Sequence, residues 1–166
     1  MPELVKVVDV LFLGASKVGI TSLINRQVSG EFNHQLINNP ASVNFHTSKG
    51  IVKFNLWERN CPVKTDAIIL VFSYDNHHSL HTTLNDYTTL KLGTPIVICA
   101  NKYDLKNNEV CSRCISDLKP KDVQFYSQSA KNNYALDDPF LYLIKIFMKD
   151  TDLVGYKEYV DGMEIV

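Results

Sequence analysis

The chain has 166 residues, 45% of them hydrophobic and 21% charged, and its net charge is −1 from seventeen basic and eighteen acidic side chains. That length fits one domain, 1–166, with a real core, and the composition sets disorder aside. A missing basic excess argues against nucleic acid as a partner, and no apolar run approaches the length of a membrane span.

In chain order, Val5–Leu13 reads as a buried strand broken only by Lys6 and Asp9. It leads into Gly14-Ala15-Ser16-Lys17-Val18-Gly19-Ile20-Thr21, followed by Ser22. This stretch keeps both glycines and the final hydroxyl of the phosphate-loop pattern G-x-x-x-x-G-K-[ST], with Ile20 where the lysine belongs. Thr21–Val28 has helical spacing through Leu23, Ile24 and Val28, and Gly30 stops it. After a polar stretch with Pro40, Val43–Phe45 and Ile51–Trp57 alternate at period two around Lys49-Gly50, which predicts a hairpin.

Ala67–Phe72 and Pro95–Ala100 are short apolar runs of the kind found in parallel strands covered on both faces. Ser79–Leu92 fits a helix between them, and Val110–Leu118 a weaker one. Val123–Ser127 is the last expected strand, and Asp138–Met148 the last helix, with Pro139 in its first turn. The alternation predicts an α/β doubly wound, mostly parallel six-stranded sheet with helices on both faces and the ligand at the carboxyl ends of the strands.

The link from Trp57 to Ala67 holds nine residues. At ~3.3 Å each it spans about 30 Å, enough for an extended crossover but not for a multi-turn helix. Its helix is therefore expected to be absent or a single turn, leaving sheet surface that needs another cover, such as a partner or a second copy.

Two smaller constellations have plainer readings. Cys111-Ser112-Arg113-Cys114 is a lone C-x-x-C without a second pair, which reads as two cysteines on a helix rather than a redox or zinc site. His77, His78 and His81 open a helix, and a solvated helix start accounts for them without a metal.

Several segments together resemble the Ras-superfamily small GTPases, the Ran branch most of all. They are Phe45-His46-Thr47 before Gly50, Lys53-Phe54-Asn55-Leu56-Trp57, Pro95 through Asn101-Lys102-Tyr103-Asp104, Ser129-Ala130-Lys131-Asn132-Asn133-Tyr134 and Pro139-Phe140-Leu141, in order over nearly the whole chain. The resemblance implies the P-loop NTPase fold of small G proteins, with GTP or GDP and Mg²⁺ as ligands. By that resemblance Asn101 braces the phosphate loop, the stem of Lys102 covers the purine, and Asp104 accepts from the guanine edge. Ser129-Ala130-Lys131 would supply a backbone N–H to the base.

At the phosphate end the sequence departs from the family. The nest from Gly14 to Thr21 depends on backbone N–H groups and survives, and Thr21 keeps the magnesium-binding hydroxyl. Ile20 removes the cation, and Lys17 is either solvated or its replacement. The motif after the tryptophan is Glu58-Arg59-Asn60-Cys61-Pro62, so Glu58 stands for the metal-side aspartate and Cys61 for the γ-phosphate-sensing glycine. The water-positioning glutamine has no counterpart, switch II is shortened, and Asn39 or Ser42 is the nearest match to the threonine of switch I.

Hydrolysis rests on these parts, so a degenerate, Ran-like protein with little or no GTP turnover is expected. The resemblance implies nuclear transport receptors or Ran regulators as partners and a soluble protein of cytoplasm and nucleus. Four cysteines without a secretory signal, and no cysteine for terminal prenylation, agree with a reducing compartment and no membrane anchor. Two alternatives remain: an active GTPase using Lys17 and Glu58, and a nucleotide-free scaffold or decoy that dimerises or grips a transport factor.

Overall fold

The computed structural model describes residues 1–35, 38–59, 64–90, 93–106, 110 and 112–158. Seven strands are present: β1 (Leu4–Gly14), β2 (Ala41–Thr47), β3 (Gly50–Glu58), β4 (Ala67–Ser73), β5 (Ile96–Asn101), β6 (Gln124–Ser127) and β7 (Gly155–Glu158). They form one sheet in the order β6-β5-β4-β1-β3-β2-β7. The helices are α1 (Ile20–Ser29), α2 (His77–Thr89), α3 (Ser112–Leu118) and α4 (Asp138–Phe147). β3, β1, β4, β5 and β6 run parallel, while β2 and β7 are antiparallel to their neighbours. The doubly wound α/β architecture is as expected, because each apolar run and each period-3.6 stretch has only one way to hide its face.

Alternation along the strands divides the core in two. Val8, Val10 and Phe12 of β1, Val52, Phe54 and Leu56 of β3, and Val43 and Phe45 of β2 pack under α1 and α4. On the other face Ile68, Leu70 and Phe72 of β4 and Ile98 and Ala100 of β5 pack under Leu80 of α2 and Ile115 of α3. β4 contributes to both and is buried at all seven positions, as a strand covered on both sides must be.

The second core stops at β1. Beyond it no helix among the described residues covers the same face of β1 and β3, and Val5 and Val7 are each 42% exposed. β3 ends at Glu58 and β4 begins at Ala67, and neither Arg59 nor 64–66 is helical, in keeping with the extended crossover. Residues 60–63, including the expected positions of Cys61 and Pro62, lie outside the described residues. The bare face carries a polar ladder instead. Ser42 donates to Asn55 at 2.9 Å, Asn55 donates to Asp9 at 3.1 Å, and the Trp57 indole donates to the same Asp9 oxygen at 2.9 Å. Trp57 thus lies on this face, not in the core with Phe54.

Three expectations change. The sheet has seven strands rather than six, because β7 adds to the edge of β2 with Tyr156 stacked on His46 at 5.2 Å. Four residues with a distant partner strand give no periodic signal. α2 starts at His77 rather than Ser79, since the Asn76 side chain caps it by accepting from the Ser79 N–H at 3.1 Å. The weaker third helix begins at Ser112 rather than Val110, and Val110 is instead fully buried in the second core, its N–H bonded to the Tyr74 carbonyl.

Candidate functional site

β1 delivers the chain to Gly14 at the carboxyl edge of the sheet, and α1 starts six residues later at Ile20. Both glycines of the loop have a steric reason. A Cβ on Gly14 would lie 2.4 Å from the Val71 carbonyl oxygen. Gly19 has φ +93°, and a Cβ there would lie 2.5 Å from the Asn101 amide nitrogen. The first turn of α1 has no side-chain cap and no acidic residue, so its N–H groups face the loop open to an anion. Ile20 is 8% exposed, and its side chain belongs to the core under α1.

Thr21 and Glu58 meet here. The Thr21 hydroxyl lies 2.8 Å from both oxygens of the Glu58 carboxylate. Glu58 is itself fixed by Asn39, which accepts from the Glu58 N–H at 2.9 Å and donates to its carbonyl at 3.1 Å. Asn39 is therefore committed to backbone pairing, and Ser42 is turned to the bare sheet face. Neither of these switch I candidates lines the cavity. A hydroxyl and a carboxylate side by side are hard oxygen donors of the kind Mg²⁺ takes when phosphate and water complete its shell. Thr21 and Glu58 would hold the ion, and its chemistry would be charge neutralisation between phosphate oxygens.

At the other end β5 carries Asn101, 1% exposed, into the same edge. Its amide donates to the Val18 carbonyl at 2.9 Å, and its oxygen accepts from the Ala130 N–H at 3.2 Å. One side chain thus joins the phosphate loop to the Ser129-Ala130 loop. Asp104 follows a turn in which Lys102 takes φ +60°, and one of its oxygens accepts from the Ser129 hydroxyl at 2.7 Å. Ser129 in turn accepts from the Asn132 N–H at 3.1 Å, which shapes the loop that carries Ala130 and Lys131.

The Lys102 ammonium donates to the Lys17 carbonyl at 2.8 Å and pairs with Asp75 at 3.0 Å, so its stem lies across the phosphate loop. Partial burial pushes the Asp75 carboxyl up, but the Ser73 hydroxyl and the Lys102 ammonium outweigh it and hold the group below its ordinary value.

All fifteen sequence candidates except Ser129 line one cavity of about 910 Å³, and Glu58 joins them. That lies within the ~300–1,000 Å³ common for small-molecule sites. Ser129 is buried behind Asp104 and acts through it. Asp104 lines the cavity, and among the described residues no side chain fills it.

Six lining residues were not singled out as site residues from the sequence: Phe12 and Leu13 of β1, Phe32, His34, Arg59 and Leu105. Phe32 is 42% exposed and packs edge-on to His34 at 4.7 Å, while His34 bonds the Ser22 hydroxyl at 2.7 Å. An aromatic ring in a polar loop just after a helix stop was the available signal, since such a ring offers a purine a stacking surface.

The lesser candidates gain nothing. Among the described residues no group of three His, Cys, Asp or Glu side chains is placed to hold a metal. Cys111 lies outside the described residues, and Cys114 lies on α3 and is not in a disulfide. No helix of the described residues is long and apolar enough to cross a membrane.

A sequence model of the Ras family matches residues 9–149, which runs from the middle of β1 to the end of α4 and takes in every part of this cavity wall. The chain belongs to the Ras family of small GTP-binding proteins, which take GTP or GDP with Mg²⁺.

Proposed function

We propose that this chain is a Ran-like guanine-nucleotide-binding module with a degenerate phosphate site, one that hydrolyses little or no GTP and acts through protein contacts. The observation that carries this reading is an asymmetry across one cavity. The Asn101, Asp104 and Ser129 constellation is assembled and opens on empty space, whereas position 20 holds an apolar side chain seated in the core. In this reading Asp104 and a backbone N–H of the Ser129-Ala130-Lys131 loop other than the one Asn101 holds read guanine, Lys102 and Phe32 flank it, and the backbone from Gly14 to Thr21 cradles phosphate.

A polar edge of this kind, once a base covers it, rejects adenine because the mismatch leaves groups unpaired. Calorimetry with GDP, GTP and ATP in the presence of Mg²⁺ tests it. GDP and GTP should bind, ATP at least about a hundredfold more weakly, and phosphate release should stay at background. Equal or absent binding of all three would reject the reading, and phosphate release above background would restore the active-GTPase alternative. The partners proposed are nuclear transport receptors or Ran regulators, in cytoplasm and nucleus.

The bare face of β1 and β3 favours a second reading, in which a second copy of the chain covers it. Val5, Val7 and Leu11 share that face with the Trp57 ring. Light scattering that finds a strict monomer at high concentration would remove this reading.

A further inference from the structure

We propose that Arg59 is the phosphate-binding cation of this chain, supplying from the end of β3 the positive charge that the phosphate loop lacks at Ile20. The inference rests on the nucleotide reading of the cavity and says which part of the ligand is held by charge: the β- or γ-phosphate of a guanosine di- or triphosphate. Among the described residues four cationic side chains line the cavity, Lys17, Arg59, Lys102 and Lys131. Lys102 is committed, its ammonium bonded to the Lys17 carbonyl at 2.8 Å and paired with Asp75 at 3.0 Å. Lys131 follows Ala130, whose N–H is held by Asn101, and so belongs to the opposite end from α1.

Arg59 and Lys17 remain, and position separates them. Arg59 directly follows Glu58, whose carboxylate touches the Thr21 hydroxyl in the first turn of α1 at 2.8 Å. That fixes its backbone beside the open N–H groups where an anion would sit. Among the described residues its guanidinium makes no hydrogen bond or ion pair, not even with neighbouring Glu58, although it lines the cavity. Its backbone has φ +69°, a left-handed conformation that an arginine rarely adopts and that turns the chain at the cavity rim. Lys17 shares that exposure and a left-handed backbone at φ +65°, so place alone separates the two: Lys17 stands at the tip of the loop, where an ammonium keeps its water. A guanidinium also matches two phosphate oxygens at once, which a point-like ammonium does not.

Calorimetric titration of GMP, GDP and GTP into wild-type protein, Arg59→Ala, Arg59→Lys and Lys17→Ala tests this. Arg59→Ala should weaken GDP and GTP at least about tenfold while GMP shifts less than about twofold, with Arg59→Lys recovering only part of the loss. The loss in Lys17→Ala should be smaller than that in Arg59→Ala. Wild-type affinity for GDP and GTP in Arg59→Ala, or a larger loss in Lys17→Ala, would overturn the proposal and leave the guanine site standing. No binding of any of the three by wild-type protein would overturn the site reading and this inference together. Arg59 is exposed, and an unchanged circular dichroism spectrum establishes that the variants fold.

Discussion

The two ends of the cavity are built on opposite plans. At the proposed base end, side chains also hold loops together: buried Asn101 ties Val18 to Ala130, and exposed Asp104 is tied to Ser129. At the proposed phosphate end, the cradle is built from backbone N–H groups at a helix start, so its shape does not depend on which side chain stands at position 20. The contrast explains how the chain can lose a lysine at position 20 and keep its fold. Ile20 simply joins the core. A loss at Asn101 has no such remedy, because both loops it joins would be left with unpaired backbone groups.

The sharpest way to break the comparison is Asn101→Ala. It leaves the Val18 carbonyl and Ala130 N–H without their partner in a buried site, at about 1–3 kcal/mol for each group. Urea denaturation should show a total loss of about 2–5 kcal/mol, with nucleotide binding abolished. A variant as stable as wild type would mean that the two ends are not mechanically joined.

Ile20→Lys tests the other end. A unit charge near 4 Å from phosphate is worth about 4 kcal/mol gross at an effective dielectric of 20. The net gain in GDP and GTP affinity should be about tenfold to a hundredfold, against about 1–2 kcal/mol of stability lost with the buried isoleucine. No gain in affinity would show that the missing lysine is not what limits phosphate binding.

Gly19→Ala probes the seam where the two ends touch. Its φ of +93° and the 2.5 Å approach to Asn101 both oppose a side chain. A cost of about 1–2 kcal/mol is expected, read as a lower urea midpoint, together with weaker nucleotide binding as the Asn101 amide is displaced.

The smallest effect concerns acid. Asp75 is held below its ordinary value in the folded state. Its stabilising contribution is therefore complete above the unfolded-state pKa of about 3.9 and is lost as pH falls through the lower folded value. Asp75→Asn should reduce stability near neutral pH by less than about 1 kcal/mol, since the pair with Lys102 is partly exposed, and should make the acid limb shallower. A variant whose urea midpoint falls as steeply with acid as wild type would assign that limb to other carboxylates.

Much of this was legible in the residues. β4 and β5 announce themselves as unbroken apolar runs, and α4 as a period-3.6 stripe behind Pro139, because burial on two faces or one stripe dictates those patterns. The short Trp57-to-Ala67 link rules out a multi-turn helix from chain length alone, and its described residues, Arg59 and 64–66, are not helical. β7 was illegible, since four edge residues acquire strand character only by pairing with β2. Within the site, Gly14, Gly19, Asn101 and Asp104 were readable by spacing. Phe32 offered only an aromatic ring after the α1 stop, and for Arg59 no local pattern says that the residue past β3 reaches the same cavity.

The sequence by itself determined the architecture and the identity of the groups at the sheet edge, since strand and helix periodicity and the loop glycines are properties of the local chain. Only the tertiary structure decided that Ile20 turns into the core, that Lys102 is occupied with Asp75, and that Arg59 is left uncommitted beside Thr21. Those outcomes depend on which residues far apart in the chain become neighbours, and a side chain's charge acquires a role only from what stands within a few ångströms of it.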